Sequence, residues 1–143
     1  MAETTTKWTG GCLCGAVRYE CTGDPASVGL CECTRCQTNS GSIGLIGVVW
    51  PKEAVTITGD LSVFEARIHD NLGLWRYFCP TCGSSVSITL DRYPAIRSMM
   101  GGTLDDRSRV KPTFSVWHSE GQPWVRLPDD MAIYPDYPEG TFG

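Results

Sequence analysis

The chain has 143 residues, of which 41% are hydrophobic and 20% are charged, so it has enough apolar residues for one globular core. A net charge of −4 argues against a nucleic-acid-binding surface, which usually carries an excess of Lys and Arg. No apolar run approaches the roughly 18 residues of a membrane-spanning helix, and residues 1–7 lack the pattern of a signal peptide. The sequence therefore predicts one cytoplasmic domain over residues 1–143, with loose tails at 1–9 and 139–143.

The first predicted elements are strands around a short helix. Residues 15–21 alternate apolar and polar side chains, with Val17 and Tyr19 facing inward, as expected for a half-buried strand. Residues 34–40 predict a short helical turn. Residues 43–50 are almost entirely apolar and predict a buried strand in which glycines permit bends or close backbone approach.

The second half predicts further short strands. Residues 55–58 and 61–67 are predicted to pair as a hairpin, because the intervening Gly59-Asp60 suits a two-residue loop. Other strands are predicted at 74–78, 85–90, 99–106 (ending in a loop), 113–118 and 124–127. The Pro- and Tyr-rich segment from residue 128 is expected to wrap the surface. Many short strands, with no long segment of helical period, indicate a mainly β protein.

Seven of the eight cysteines fall into three tight groups. These groups are Cys12-Leu13-Cys14, Cys31-Glu32-Cys33-Thr34-Arg35-Cys36 and Cys79-Pro80-Thr81-Cys82. Disulfide frameworks are usually found in exported proteins with more evenly scattered cysteines, whereas tight pairs are typical of zinc ligands. Because four thiolates close a zinc site, seven clustered thiols predict one site of four and one of three. Cys21, the eighth, is interpreted as a small buried apolar residue.

The third group has the form of a zinc knuckle, a hairpin that supplies two thiolates. Pro80 suits the tight turn, and Gly83 tolerates the left-handed backbone that lets amides approach sulfur. Cys12 and Cys14 are the expected partners, because an i, i+2 pair on extended chain projects to one side. The middle group is then left as an open site of three thiols.

Two alternatives to this division remain open from the residues alone. The middle group can be closed as a second structural site by Cys21, His69 or His118. It can also pair with the third group and leave the first group over.

The order and neighbours of the three groups resemble the glutathione-dependent formaldehyde-activating enzyme family, also called the CENP-V/GFA family. The similar motifs are residues 10–19 (GGCLCGAVRY), the middle group followed by Ser40-Gly41-Ser42, and residues 77–84 (YFCPTCGS). Residues 102–106, Pro112, Trp117 and Pro123-Trp124 resemble the C-terminal half of that family. The resemblance covers nearly the whole chain.

The resemblance implies an Mss4-like fold, a zinc-stapled β-sandwich of short antiparallel strands with little helix. It implies two zinc ions per chain. The implied structural ligands are Cys12, Cys14, Cys79 and Cys82, and the implied catalytic ligands are Cys31, Cys33 and Cys36. The founding activity of the family is carbon–sulfur lyase chemistry that interconverts formaldehyde and glutathione with S-hydroxymethylglutathione. This chain departs from the family at Glu32, which stands where a His is common.

An open site of three thiolates suits the binding and deprotonation of a substrate thiol, because soft ligands donate charge and make the metal a weak activator of water. The sequence therefore predicts a lyase that acts on a glutathione adduct or another small thiol conjugate. Glu32 and His69 are candidate acid–base groups. Candidates for holding substrate carboxylates are Arg35, Arg67 and Arg76. The alternative is a non-enzymatic Mss4-like module that binds a protein partner, with both zincs structural.

Overall fold

The computed structural model of the protein describes residues 6–68 and 71–138. Within these ranges the chain forms eleven strands, one α-helix and several single-turn 3₁₀ helices. In chain order the elements are β1 (Lys7–Gly11), β2 (Arg18–Thr22), β3 (Ser27–Cys31), α1 (Thr34–Ser40), β4 (Leu45–Pro51), β5 (Val55–Thr58), β6 (Ser62–Arg67), β7 (Gly73–Phe78), β8 (Ser85–Leu90), β9 (Ile96–Met100), β10 (Phe114–Val116) and β11 (Ala132–Ile133). No helix in the described ranges is long and apolar enough to cross a membrane.

The strands form two sheets. The smaller sheet has the order β1-β2-β5 and is antiparallel throughout. The larger sheet has the order β11-β10-β3-β4-β9-β8-β7-β6. Its pairs are antiparallel except at one end, where β10 runs parallel to both β3 and β11. The predicted mainly β class is confirmed, although the larger sheet is mixed and not purely antiparallel.

The main core lies between the two sheets. Trp8, Tyr19 and Cys21 of the smaller sheet belong to the same buried cluster as Val48 and Trp50 of β4. The rings of Trp8 and Trp50 meet edge to face, with centroids 5.5 Å apart. Because side chains alternate along a strand, the intervening positions of β4 face the opposite side of the larger sheet. That second face carries the cavity described below.

Several predicted elements agree with the structure. The helix covers residues 34–40 as predicted, and it ends at Gly41 in a left-handed conformation with φ 66°. The strands predicted at 55–58 and 85–90 have the predicted bounds, and the buried strand predicted at 43–50 is β4, shifted by one or two residues.

The predicted hairpin at Gly59-Asp60 is wrong. β5 pairs with β2 in the smaller sheet, whereas β6 pairs with β7 in the larger one. Gly59 has φ 95°, and a Cβ built there would lie 2.2 Å from the carbonyl oxygen of Ala16. The glycine is therefore needed where the chain passes close to another backbone as it crosses between the sheets.

Three strands were not predicted. β1 begins at Lys7, inside the segment predicted as a loose tail at 1–9. β3 contains Gly29, a poor strand former, and β11 has only two residues. The strand predicted at 124–127 is wrong, because these residues form a turn and irregular chain.

Candidate metal centres

The first and third cysteine groups meet at one place. The Sγ atoms of Cys12, Cys14, Cys79 and Cys82 all lie within 4.8 Å of one another. The Sγ–Sγ distance is 3.6 Å between Cys12 and Cys14 and 3.8 Å between Cys14 and Cys79. This four-thiol cluster joins the end of β1 to the turn between β7 and β8.

Two similar turns build the four-thiol cluster. In the first, the amide of Gly15 donates to the carbonyl of Cys12, and the amide of Val17 donates to Cys12 Sγ at 3.2 Å. In the second, the amide of Gly83 donates to the carbonyl of Cys79. Gly83 has φ 77°, the left-handed conformation that the sequence predicted. Cys12 and Cys14 lie in a turn and not on the extended chain that was expected.

The spacing of these sulfurs fits a metal better than disulfides. All eight cysteines are free thiols, and the measured 3.6 and 3.8 Å are far longer than a disulfide bond of about 2.0 Å. A tetrahedral zinc with Zn–S bonds of about 2.3 Å holds its sulfurs roughly 3.8 Å apart. The four-thiol cluster therefore has the donor set and the spacing of a closed tetrahedral site.

The middle group forms a second cluster. The Sγ atoms of Cys31, Cys33 and Cys36 lie within 4.8 Å of one another. Cys31 ends β3, Cys33 caps α1, and Cys36 lies on the first turn of α1, where its amide donates to Cys33 Sγ at 3.3 Å. Within the described residues, no fourth Cys, His, Asp or Glu ligand atom joins this three-thiol cluster.

The alternatives left open by the sequence can be compared with these positions. Cys21 lies in the main core, outside both clusters. His118 bonds a carboxylate, and it too lies outside the three-thiol cluster. His69 falls outside the described residues. The middle group does not pair with the third group, because Cys79 and Cys82 lie with Cys12 and Cys14.

Both clusters favour thiolates over thiols at some positions. Hydrogen bonds from the Cys31 and Cys36 thiols lower the pKa of Cys33 to about 2, and the sharing of protons with Cys33 raises the pKa of Cys31 above its ordinary value. Hydrogen bonds from the side chain and backbone of Ser84 lower the pKa of Cys82 to about 5. The clusters therefore hold negative charge that a cation would neutralise.

Glu32 lies between two cysteines of the cluster but points away from them. Its carboxylate is fully buried, accepts a hydrogen bond from the Ser115 hydroxyl at 2.7 Å, and lies 2.7 Å from His118 Nδ1. Its backbone is held as well, since its amide donates to the Val116 carbonyl and its carbonyl accepts from Gln37 Nε2. Glu32 therefore ties the cysteine segment to β10 and the turn after it. Ser115 and Gln37 stand in no recognisable motif, so the sequence pointed to Glu32 but not to these two partners.

The three arginines proposed for carboxylate binding lie together. Arg35 of α1, Arg67 of β6 and Arg76 of β7 line one cavity of about 370 Å³, together with Asn39. Arg76 is 6% exposed and donates to Asn39 Oδ1 at 3.0 Å. The hydrogen bond with Cys31 lowers the pKa of Cys36, but the hydrogen bond with Cys33 and burial outweigh it and raise that pKa to about 12. The positive charge of Arg76 also acts to lower the pKa of Cys36. This arginine cavity thus lies on one side of α1, and the three-thiol cluster lies at the start of that helix.

An apolar cavity lies on the other side of the cluster. Its volume is about 80 Å³, and Cys31 and Cys36 form part of its wall. Tyr137, from the C-terminal segment, closes one side, and its ring packs edge to face on Trp117 at 5.7 Å. Burial raises the pKa of Tyr137, so the phenol keeps its proton beside the thiols. No sequence motif pointed to Tyr137, because its place depends on how the tail folds back.

Comparisons with known proteins agree with this arrangement. A family model described as "Glutathione-dependent formaldehyde-activating enzyme" matches residues 7–120. A solved structure of a Rhodobacter sphaeroides protein, a structural genomics target, superposes with a TM-score of 0.54 at 19% sequence identity, over 68% of this chain and 88% of that chain. At that identity the superposition shows a shared fold. No curated protein matches the chain.

Proposed function

This chain belongs to the glutathione-dependent formaldehyde-activating enzyme family, and on that premise we propose that it is a zinc-dependent carbon–sulfur lyase. Its substrate is the adduct of a small thiol with an aldehyde, for which S-hydroxymethylglutathione is the simplest case. One observation carries the proposal: three thiols form a cluster that no fourth protein ligand joins within the described residues, and two of them, Cys31 and Cys36, line a cavity. An open position on a metal is what a substrate sulfur needs.

The proposed metal content is two zinc ions per chain. Cys12, Cys14, Cys79 and Cys82 hold a structural ion, since four thiolates complete a tetrahedral shell. The second ion is held by the three-thiol cluster. Thiolate donors favour soft or borderline ions such as zinc over magnesium or calcium. All eight cysteines are free, so the proposal places the protein in a reducing compartment such as the cytoplasm.

When bound at the three-thiol cluster, zinc would supply a fourth coordination position and lower the pKa of a thiol placed there. Three protein thiolates and a substrate thiolate together carry four negative charges against two positive ones. Arg76 is placed to offset the excess, because it is buried and acts electrostatically on Cys36. The amide that donates to Cys33 Sγ adds a further stabilising dipole.

The arginine cavity supports a thiol that bears carboxylates. Arg35, Arg67 and Arg76 converge there, and guanidinium groups recognise carboxylates through paired hydrogen bonds. Within the described residues Arg76 makes no ion pair, so its charge is available to a ligand. Glutathione carries two carboxylates and one thiol, which suits it to span this cavity and the cluster.

Proton transfer is assigned to groups that line the open site. The phenol of Tyr137 lies beside the cysteines and is held in its protonated form, so it can donate a hydrogen bond to the hydroxyl oxygen of the adduct. Glu32 is fully buried and touches His118 and Ser115, so we propose that it positions the cysteine segment and does not contact substrate. The acid–base role that the sequence predicted for Glu32 is the alternative to this positioning role and is tested by the Glu32→Gln variant below.

Exchange spectroscopy by NMR tests the proposed activity. Glutathione is mixed with formaldehyde or with benzaldehyde, and the rate of exchange between free aldehyde and thiol adduct is measured with and without the protein. The wild type is expected to accelerate exchange for at least one aldehyde, and the Cys21→Ala variant is expected to accelerate it equally. The Cys33→Ser variant is expected to leave the exchange at its uncatalysed rate. A wild-type protein with both metals bound that accelerates neither exchange contradicts the proposal and favours a partner-binding module.

A further inference from the structure

The apolar cavity beside the three-thiol cluster is formed by one face of the larger sheet. Its floor combines small residues in the middle strands with larger apolar residues at the sides, such as Leu74 and Val116. The glycines let neighbouring side chains pack directly over the floor. A Cβ built on Gly47 would lie 2.5 Å from Ser98 Oγ, and one built on Gly29 would lie 2.3 Å from the Phe114 ring.

The cavity has a definite size and chemistry. A water-sized sphere takes roughly 10–15 Å³ of such a volume, so about 80 Å³ has room for about six heavy atoms. The wall is mostly carbon, and its polar side-chain groups are the cysteine sulfurs, the serine hydroxyls and the phenol of Tyr137. A carboxylate placed there would find few hydrogen-bond donors and no cation in the wall, which makes its burial unfavourable. A hydrocarbon group would instead remove apolar surface from water.

The position of the cavity relates it to the reacting bond. Cys31 and Cys36 line it, and these are two of the three proposed ligands of the second metal. A substrate sulfur held there would therefore lie beside the apolar cavity, while the arginine cavity is lined by other residues of α1, among them Arg35 and Asn39. The two cavities differ in polarity and have the cluster between them. They suit the two unlike halves of a thiol–aldehyde adduct.

We propose that the apolar cavity binds the aldehyde-derived group of the adduct, and that this group is an apolar substituent of about six heavy atoms, such as phenyl or a short alkyl chain. This inference rests on the proposed function and narrows its substrate class. The hydrogen of formaldehyde would leave the cavity unfilled, whereas a phenyl group would fill it. The favoured reaction is then reversible addition of a carboxylate-bearing thiol to an apolar aldehyde, in which the S–C bond forms as the thiol proton passes to the carbonyl oxygen.

Two stable thioethers test the assignment by binding alone. S-benzylglutathione and S-methylglutathione differ only in a phenyl group, and both lack the thiol needed for reaction. Calorimetric titration of the zinc-loaded protein is expected to show S-benzylglutathione binding at least about tenfold more tightly, since a buried phenyl removes considerable apolar area from water. Equal affinities for the two thioethers would overturn the assignment of the apolar cavity. They would not decide whether a free thiol binds at the cysteine cluster.

A cavity-filling variant sharpens the test. Ser98→Val adds a methyl group above Gly47, and the Ser98 hydroxyl makes no hydrogen bond within the described residues. The variant is expected to lose the preference for S-benzylglutathione and to keep the affinity for S-methylglutathione. Thr56→Val is the matched control, because Thr56 is an exposed strand residue of the other sheet. A preference that survives in Ser98→Val would contradict the assignment.

Benzyl alcohol separates the failure of the cavity from the failure of the thiol site. If neither glutathione derivative binds, benzyl alcohol is titrated into methyl-labelled protein. Shifts at Leu74 and Val116 that vanish in Ser98→Val keep the cavity assignment and reject the glutathione part of the proposed function. No shift at these methyl groups overturns the cavity assignment itself.

Discussion

His118 Nδ1 lies 2.7 Å from Oε2 of Glu32, a carboxylate with no exposure to solvent. The other carboxylate oxygen, Oε1, is buried with no hydrogen-bond partner among the described residues. Burial of a carboxylate costs free energy unless hydrogen bonds or an ion pair compensate for the lost water. Here they connect the cysteine segment to β10 through Ser115 and to the following turn through His118. The pair therefore fixes the frame in which the three thiols converge.

Glu32→Gln is expected to lower the free energy of unfolding by about 1–3 kcal/mol, because it removes the charge at the oxygen that contacts Ser115 and His118 and buries an amide NH₂ group where Oε1 has no partner. It is also expected to weaken the second metal site and leave the first unchanged. Urea denaturation measures the stability, and a chelator titration measures the two affinities. Unchanged metal affinity combined with lost turnover would instead give Glu32 a direct catalytic role.

The two cysteine clusters are expected to differ in what they stabilise. Cys79→Ser removes a ligand from the closed four-thiol cluster and is expected to cost several kcal/mol and largely unfold the protein, since a structural zinc contributes folding free energy. Cys33→Ser is expected to lose the second metal and activity while the protein stays folded. Circular dichroism, melting and elemental analysis measure the difference. Equal loss of structure in both variants would favour two structural sites.

Cys21→Ala is expected to keep both metals, because Cys21 belongs to the main core and to neither cluster. The lost sulfur should cost about 1 kcal/mol of stability through the small cavity left behind. Burial raises the pKa of Cys21 to about 12, so its thiol stays protonated at pH 8 and resists iodoacetamide in the folded protein. Loss of one zinc in Cys21→Ala would show that Cys21 is a ligand.

Arg76→Gln is expected to weaken glutathione binding by about tenfold or more, since a charge-assisted hydrogen bond is lost. Binding of 2-mercaptoethanol, which has no carboxylate, should weaken less, because it loses only the effect of Arg76 on the charge of the cysteine cluster. Arg126→Gln is the control, because it removes the same charge from an exposed position. Calorimetry of both thiols measures the effect. An equal loss for both thiols would mean that Arg76 acts on the cysteine cluster and not on a carboxylate.

The parts of the fold that the sequence predicted are those with local signals. The helix at 34–40 and the strand at 85–90 follow from turn residues and alternation that lie within a few positions. The pairing of β5 was missed because Gly59 reads locally as a hairpin residue, although it is required by contact with Ala16 from another part of the chain. Pairing between distant strands has no such local signal.

In the candidate site, too, the residues with a local sequence signal were predicted and those brought in from distant segments were missed. Cysteine spacing favoured the convergence of the first and third groups, and the family resemblance implied it, although spacing alone left open the pairing of the middle group with the third. The groups around the thiols come from distant segments: Ser115 lies on β10, His118 follows that strand, and Tyr137 lies near the end of the chain. Their approach depends on β10 pairing in parallel with β3, which no short motif predicts.

The central claim is that the second metal keeps a position open for a substrate sulfur. Zinc K-edge absorption, or cobalt substitution with its sulfur-to-metal charge-transfer bands, counts the sulfurs at that site before and after glutathione is added. The expected result is a change from three sulfurs to four with glutathione and no change with S-methylglutathione. A spectrum that does not change when glutathione is added, or a second site that already has four protein ligands, would contradict the claim.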